Sequence, residues 1–513
     1  MKYLFASTKV CEMQPNRSIR SLDLGTSQKM MTSSKLLVVL VATAIAGGSV
    51  TAQERPSPDI EHNPSASPGI ENVELFPALP GGVLARNHQA AAFLEQDQFS
   101  QAEPLLREAL AIAEAAAGPQ HPFIGTILNN LAFAYQGQGL YSQAEAHYER
   151  SLAIAEEALG PDHPQAGTAL TNLGSLYNDQ GLYLQAERLL LRALEITEAA
   201  LGSEHPDVAA ILTHLAAAYQ RQDLLSRAEP LFERALAISE DAYGPEHARV
   251  GHTLNGLALL YLDQGRFEEA EQSFLRALSI AEATLSSEHP FVATVTHNLA
   301  ILLSNWGRLE EAEPLHLRSL AISEASFDPE HPDIADNLDG LASLYVQQQR
   351  HSEAEPLFER ALAIRESVFG QGHPAVASVS NNLGVSYLEQ GRFEEAEPLL
   401  ERAILIAEQA FGDEHSDVGI YLNSLAILYF DQGRLEETVP LFERALSIIE
   451  ASLGADHRDV GPALTNLAVV YDALGDHAQA SQLMERGVEL YQMTLGPDHP
   501  LTITARNFLQ QLQ

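Results

Sequence analysis

Asn130-Leu131-Ala132-Phe133-Ala134-Tyr135 and Asn382-Leu383-Gly384-Val385-Ser386-Tyr387 are one six-residue phrase written twice. A histidine sets the length of the unit that carries it. His121, His163, His205, His247, His289, His331, His373, His415, His457 and His499 stand 42 residues apart (163 − 121 = 42). Ten copies run in one register from Pro80 to His499, with no insertion or deletion. Self-similarity at a fixed period of this size marks a solenoid, in which each unit is stabilised by its neighbours and not around a central core.

Residues 122–163 show what each copy must be. Pro122 follows His121 and opens a helix, where its missing N–H costs nothing. Ile124, Ile127, Leu128, Leu131, Ala132 and Tyr135 recur at three- and four-residue steps, giving one apolar face of a helix of about 15 residues. Gly137 and Gly139 end it. A second helix is expected from near Tyr141, packing through Ala144, Tyr148, Leu152 and Ala153 before Gly160-Pro161-Asp162 closes the unit. Each hairpin leaves an apolar face that only the next hairpin can cover.

Two columns of small residues mark close helix approach. One is Ala132, Gly174, Ala216, Ala258, Ala300, Ala342, Gly384, Ala426 and Ala468; the other is Ala102, Ala144, Ala186, Ala228, Ala270, Ala312, Ala354 and Ala396. Pro104, Pro230, Pro314, Pro356, Pro398 and Pro440 lie in second helices and are expected near the helix start, where amide groups have no intrahelical partner. The first unit is irregular, with Gly81, Gly82 and Gln89 at apolar positions. Leu501 to Leu512 repeats a first helix without a partner, and Gln510, Gln511 and Gln513 suit a water-facing end. The reading is an all-α solenoid of about ten helix hairpins over residues 80–500, with a capping helix at 501–513.

The chain of 513 residues carries a formal net charge of −39. Such a surface repels nucleic acid and anionic lipid headgroups, so the expected partner is a protein or peptide, basic or neutral before acidic. Cys11 is the only cysteine, so the repeats hold no disulfide, thiolate nucleophile or cysteine metal site. Leu36 to Ala46 is an apolar run preceded by Lys29 and Lys35 and followed by Val50-Thr51-Ala52. That is the pattern of a cleaved signal peptide over residues 1–52, too short to span a bilayer. Met30 or Met31 would give it better proportions as a start. Export to a periplasmic or extracellular compartment is expected, with Gln53 as the new N-terminus and no stable membrane insertion. Residues 53–79, rich in Pro, Ser and acid, read as a disordered leader.

The phrase Asn-Leu-Ala-x-x-Tyr, then Gly391-Arg392-Phe393-Glu394-Glu395-Ala396-Glu397, then Arg402-Ala403-Ile404, then Gly-x-x-His-Pro resembles the tetratricopeptide repeat. More narrowly it is similar to the 42-residue subtype of kinesin light chains and their bacterial relatives. The resemblance implies a right-handed α-solenoid and protein binding. Motor transport is not implied, because no heptad segment precedes the repeats and a signal peptide does. The resemblance also implies that first helices line a concave groove in which asparagines bond the backbone of an extended peptide. The matching positions are Asn130, Asn172, Asn298, Asn382 and Asn466, with Asn129, Asn255, Asn381 and Asn423 in the preceding column. An amide offers both donor and acceptor, so a row of them can pair with any peptide unit. The other reading of these amides is that they bridge neighbouring helices.

Some tetratricopeptide proteins clamp a C-terminal carboxylate with Lys and Arg. Here His214, His252 and His297 are the nearest substitutes, and capture of an acidic tail is disfavoured. The histidine ladder is not expected to hold metal. Equivalent residues of adjacent hairpins stand about 10 Å apart, against metal–nitrogen bonds of about 2 Å; a role in starting each first helix fits better. No phosphate-binding glycine loop and no nucleophile–base set is present, so neither enzyme activity nor a cofactor is expected. The leading function is an exported scaffold binding an extended peptide; the alternative is a structural or assembly element of the cell envelope acting through its outer face or ends. The sequence leaves the oligomeric state open.

Overall fold

The computed structural model describes residues 81–94, 98–222, 224–457, 460–494, 496–497 and 500–512. The expected signal peptide and leader lie outside the described residues. All 21 described elements are helices. First helices are α1 (Gly81–Leu94), α3 (Pro122–Gly137), α5 (Pro164–Asp179), α7 (Pro206–Gln220), α9 (Ala248–Asp263), α11 (Pro290–Asn305), α13 (Pro332–Gln347), α15 (Pro374–Glu389), α17 (Ser416–Asp431) and α19 (Val460–Ala473). Second helices are α2 (Phe99–Ala117), α4 (Tyr141–Leu159), α6 (Tyr183–Leu201), α8 (Leu225–Tyr243), α10 (Phe267–Thr284), α12 (Leu309–Ser326), α14 (His351–Phe369), α16 (Phe393–Phe411), α18 (Leu435–Leu453) and α20 (His477–Thr494). The closing helix is α21 (Pro500–Leu512), with Gln510 and Gln511 exposed. Within each of the stretches α1–α10 and α14–α21 successive helices pack pair by pair, as in a tetratricopeptide-type α-solenoid. The chain divides into two compact units: residues 52–302 with 318–334, and residues 303–317 with 335–513.

The start of each first helix explains the histidine ladder. The Nδ1 atoms of His121, His163, His205, His247, His289, His331, His373 and His415 each accept the backbone N–H two residues on, at 3.1–3.3 Å. Side-chain acceptors at this position satisfy an amide that the helix cannot. An imidazole does so only through an unprotonated Nδ1, the tautomer with its proton on Nε2. The turn inside each hairpin needs a left-handed residue, supplied by Gly391 (φ 73°) and its counterparts. Gln349 holds the same position at φ 62° without that freedom.

Packing within a hairpin repeats two main solutions, with Tyr148, His316 and Met484 filling the same place against Ala132, Ala300 and Ala468. Where the first helix has Gly174 or Gly384, Leu190 or Leu400 lies against it; an added Cβ would fall 2.7–2.8 Å from a leucine side-chain carbon. Where it has Ala216, Ala258, Ala342 or Ala426, the second helix sixteen positions on supplies Phe232, Phe274, Phe358 or Phe442, all essentially inaccessible. A larger residue at either glycine would overpack the contact, at about 1–3 kcal/mol.

Two local expectations shift. Ala153 is exposed and Leu152 only half-buried; Ser151, Ile154 and Ala155 join Ala144 and Tyr148 in the contact. The buried face of α4 therefore steps through 144, 148, 151 and 155, the three-and-four spacing of one helix stripe. Pro104 stands sixth in α2, one turn beyond the partnerless amides. The carbonyl it leaves unpaired belongs to exposed Ser100, where water can satisfy it; Ser226, Glu310, Ser352, Glu394 and Glu436 are the exposed equivalents for the other prolines.

Candidate ligand-binding face

The first helices carry the asparagines, and their order follows from the 42-residue period plus one. A side chain at position i reaches position i + 43 of the next first helix. Asn130 donates through Nδ2 to Oδ1 of Asn87 at 3.0 Å. Asn298 donates to Asn255 at 3.0 Å, Asn466 to Asn423 at 3.1 Å, and Asn382 to Asp339 at 3.2 and 3.4 Å. Asn381 reaches Asn382 at 3.5 Å. Asn172 is buried, and Asn129 is partly buried with its Oδ1 enclosed and unbonded. The amides thus form rungs between successive first helices.

A rung uses one donor and one acceptor and leaves the others. Asn423 Nδ2, Asn466 Oδ1, Asn298 Oδ1 and Asn381 Oδ1 are enclosed and have no hydrogen-bond partner. On the Asn423–Asn466 rung, one donor and one acceptor remain unused. The large majority of buried polar atoms in proteins are paired, so such a remainder sets this register apart.

His214 is the histidine in this register. It is buried, its Nδ1 has no partner, and burial pushes its pKa down to about 4. It is a neutral side chain at pH 7, unsuited to clamp a carboxylate. His252 lies 3.6 Å from the Phe291 ring centre and His297 is buried. A second line of rungs runs parallel: Gln136 to Asp179 at 2.7 Å and Gln220 to Asp263 at 2.6 Å.

Sequence reasoning missed Asn87, Asp336, Asp339, Arg365 and Glu389. The signal for Asn87 and Asp339 was the i + 43 step, invisible until the helix pairing is known. Arg365 was legible as an exception: the same column holds Ala281, Ser323 and Ala407 in nearby units. It is 1% exposed, and its Nη2 donates to Asp336 at 2.8 Å.

Many arginines of the second helices and of the turns leading into them are spent in ion pairs. Arg150, Arg234, Arg276, Arg318 and Arg444 each meet a Glu one unit back, at 2.5–2.8 Å. Arg266, Arg350, Arg392 and Arg434 each hold two Glu and lie over Tyr261, Tyr345, Tyr387 and Tyr429 at 3.6–4.1 Å. Among the described residues no set of His, Cys, Asp and Glu converges to hold a metal, and no helix is long and apolar enough to cross a membrane.

A family model described as tetratricopeptide repeat matches residues 83–157, 123–199, 166–241, 207–283, 249–324, 291–367, 375–437 and 417–493. Among solved structures the chain is similar to a Podosopora anserina protein described as a kinesin light chain with nearly identical TPR-like repeats. That likeness is 30% identical over 40% of this chain and 97% of the other, with a TM-score of 0.32. It is similar to BtubC (BKLC) from P. vanneervenii at 26% identity over 46% and 93%, TM-score 0.34. It is also similar in fold to a Rap protein complexed with competence and sporulation factor, at 15% identity over 73% and 99%, TM-score 0.54. No curated protein matches the chain.

Proposed function

Because the chain belongs to the tetratricopeptide repeat family, whose fold generally mediates protein–protein interaction, we propose that it is an exported scaffold binding an extended segment of a partner along its first-helix face. The observation that carries this reading is the remainder on the rungs. Asn423 Nδ2 and Asn466 Oδ1 keep an unused donor and acceptor after the rung itself is made, in enclosed side chains that a peptide reaches only as the face opens to it. Recognition through such atoms reads peptide backbone and tolerates many side chains. The chain acts in this reading as a binding module without catalysis of its own and without a cofactor. Basic or neutral segments are preferred, since many arginines are held in pairs and the net charge is −39. Export rests on the apolar run Leu36 to Ala46, and sequencing of the exported product should begin at Gln53.

Partner capture from cell envelopes tests the face. The chain and its Asn172→Ala/Asn298→Ala/Asn466→Ala variant would be compared at equal helix content, beside an outer-face variant, Glu394→Gln/Glu436→Gln. Loss confined to the asparagine variant supports the proposal. Loss confined to the outer-face variant favours the alternative, an assembly element working through its second helices.

A further inference from the structure

One rung carries a charge. Where α9 and α17 present Asn255 and Asn423, α13 presents Asp339, 1% exposed and bonded by Asn382 of α15. Arg365 of α14 approaches from behind. Its Nη2 lies 2.8 Å from Asp336 and 3.8 Å from Asp339, and its Nη1 donates to the Ala375 carbonyl and the Ser378 hydroxyl at 2.8 Å each. Two carboxylates therefore share one guanidinium. Burial raises the pKa of Asp339, and Arg365 opposes that rise.

A second observation lies on the same helix. Glu389 is seven residues, two turns, beyond Asn382, so both occupy one face of α15. The Glu389 side chain is 4% exposed, and neither carboxylate oxygen has a hydrogen-bond partner. The second line of rungs explains why. Gln136 and Gln220 serve Asp179 and Asp263 from 43 positions back; the residue 43 positions before Glu389 is Val346, which has nothing to donate. His351 Nε2 is 3.8 Å away, outside hydrogen-bond reach. Burial pushes the Glu389 carboxyl up to about 8. Asn381 adds another enclosed acceptor without a donor.

This face of α13 and α15 thus holds more acceptors than donors: two aspartates share the one guanidinium of Arg365, and Glu389 keeps its proton at pH 7 until a cation beside it favours the carboxylate. An isolated buried carboxylate is costly, and a multidentate cation is the group that relieves it. We infer that this face selects cationic side chains, guanidinium or ammonium, within the bound segment, one at Asp339 and one at Glu389 about 10 Å along α15, with Arg365 acting as the positioning residue. The inference rests on the first-helix face being the binding face, and it names the side-chain preference at one place along it.

Fluorescence anisotropy with the full chain tests it. The probes are a labelled Gly–Ser peptide carrying arginines, the same peptide with lysines, and the same with glutamines. At about 0.15 M ionic strength, charges beyond about 8 Å are screened. Asp339→Asn and Glu389→Gln should each weaken the arginine or lysine peptide about tenfold and leave the glutamine peptide unchanged. A preference for arginine over lysine would assign the planar fork, and the reverse a point charge. The charge-matched variant Glu414→Gln, at an exposed position, should change neither. Equal losses in that variant, or unaltered discrimination in the first two, would overturn the inference while leaving the binding face intact. Failure of every peptide to bind would remove the binding face, and the inference with it. Should Asp339→Asn unfold the chain, Glu389→Gln decides alone, since it breaks no hydrogen bond.

Discussion

Two rungs in one register, one in each compact unit, differ in their acceptor. Asn298 donates to the amide of Asn255 at 3.0 Å; Asn382 donates to the carboxylate of Asp339 at 3.2 Å. The first rung is neutral, and one bond holds it. The second has drawn in Asp336 and Arg365, the latter at a position that holds Ala281, Ser323 and Ala407 in nearby units. In a stacked array a buried charge does not come alone, because an uncompensated one costs several kcal/mol. It appears as linked exceptions in separate columns, and those exceptions mark where one repeat does something its neighbours do not.

Removing the countercharge should break the comparison most severely. Arg365→Ala leaves Asp336 and Asp339 buried without it and should cost about 3–5 kcal/mol in urea unfolding. Removing all three charges, as Asp336→Ala/Asp339→Asn/Arg365→Ala, should restore most of that loss. A single variant within about 1 kcal/mol of the parent would show that the carboxylates are not held as a charged group.

Acid addresses the rung register through His214. Its pKa is about 4 in the folded chain, against about 6.5 when unfolded. Its contribution is therefore complete above pH 6.5 and is lost as pH falls toward 4. Linkage puts that loss at about 3 kcal/mol. His214→Gln should flatten the acid slope by about that amount. The remaining slope belongs partly to the capping histidines. Burial lowers the pKa of His121, His163 and His247, so their caps also fail as pH falls. Melting curves at pH 7 and pH 4 for both chains decide it; parallel curves would exclude His214.

How much of this was legible before the structure depends on distance along the chain. The period, the two helices per unit and the small-residue columns are local patterns, and the structure repeats them. The face of α4 was misjudged at Ala153 because its three-and-four spacing fits two overlapping stripes until the neighbouring hairpin selects one. The asparagines stood out as columns, but their partners did not. Asn130 meets Asn87 and not His88, its counterpart exactly one period back, because a rung links position i to i + 43, a shift set by how adjacent helices slide in packing. Arg365 and Glu389 needed a different signal, the residue that breaks its column.

Single rungs should sharpen the contrast. Asn382→Ala removes a charge-assisted bond and should cost about 1.5–3 kcal/mol, whereas Asn298→Ala removes a neutral one and should cost about 1 kcal/mol. Equal costs in the two units, measured by denaturant titration, would mean that Asp339 is protonated and behaves as an amide does.

The outer ladder should give the smallest effect. Arg234 meets Glu198 at 2.8 Å and the Ser203 carbonyl at 2.7 Å, but both charged side chains remain about one-third exposed. Water already solvates such a pair, and ordering two long side chains opposes it, so exposed ion pairs contribute about 0–1 kcal/mol. Arg234→Ala should therefore cost less than Asn298→Ala at about 0.15 M salt. Raising the salt should shrink the Arg234→Ala effect further, because exposed charges are screened. The Asn298→Ala effect should hold, since its partners are enclosed and uncharged. A larger, salt-sensitive loss at Arg234 would place the adhesion between units on the second helices, and the rungs would then serve the ligand more than the stack.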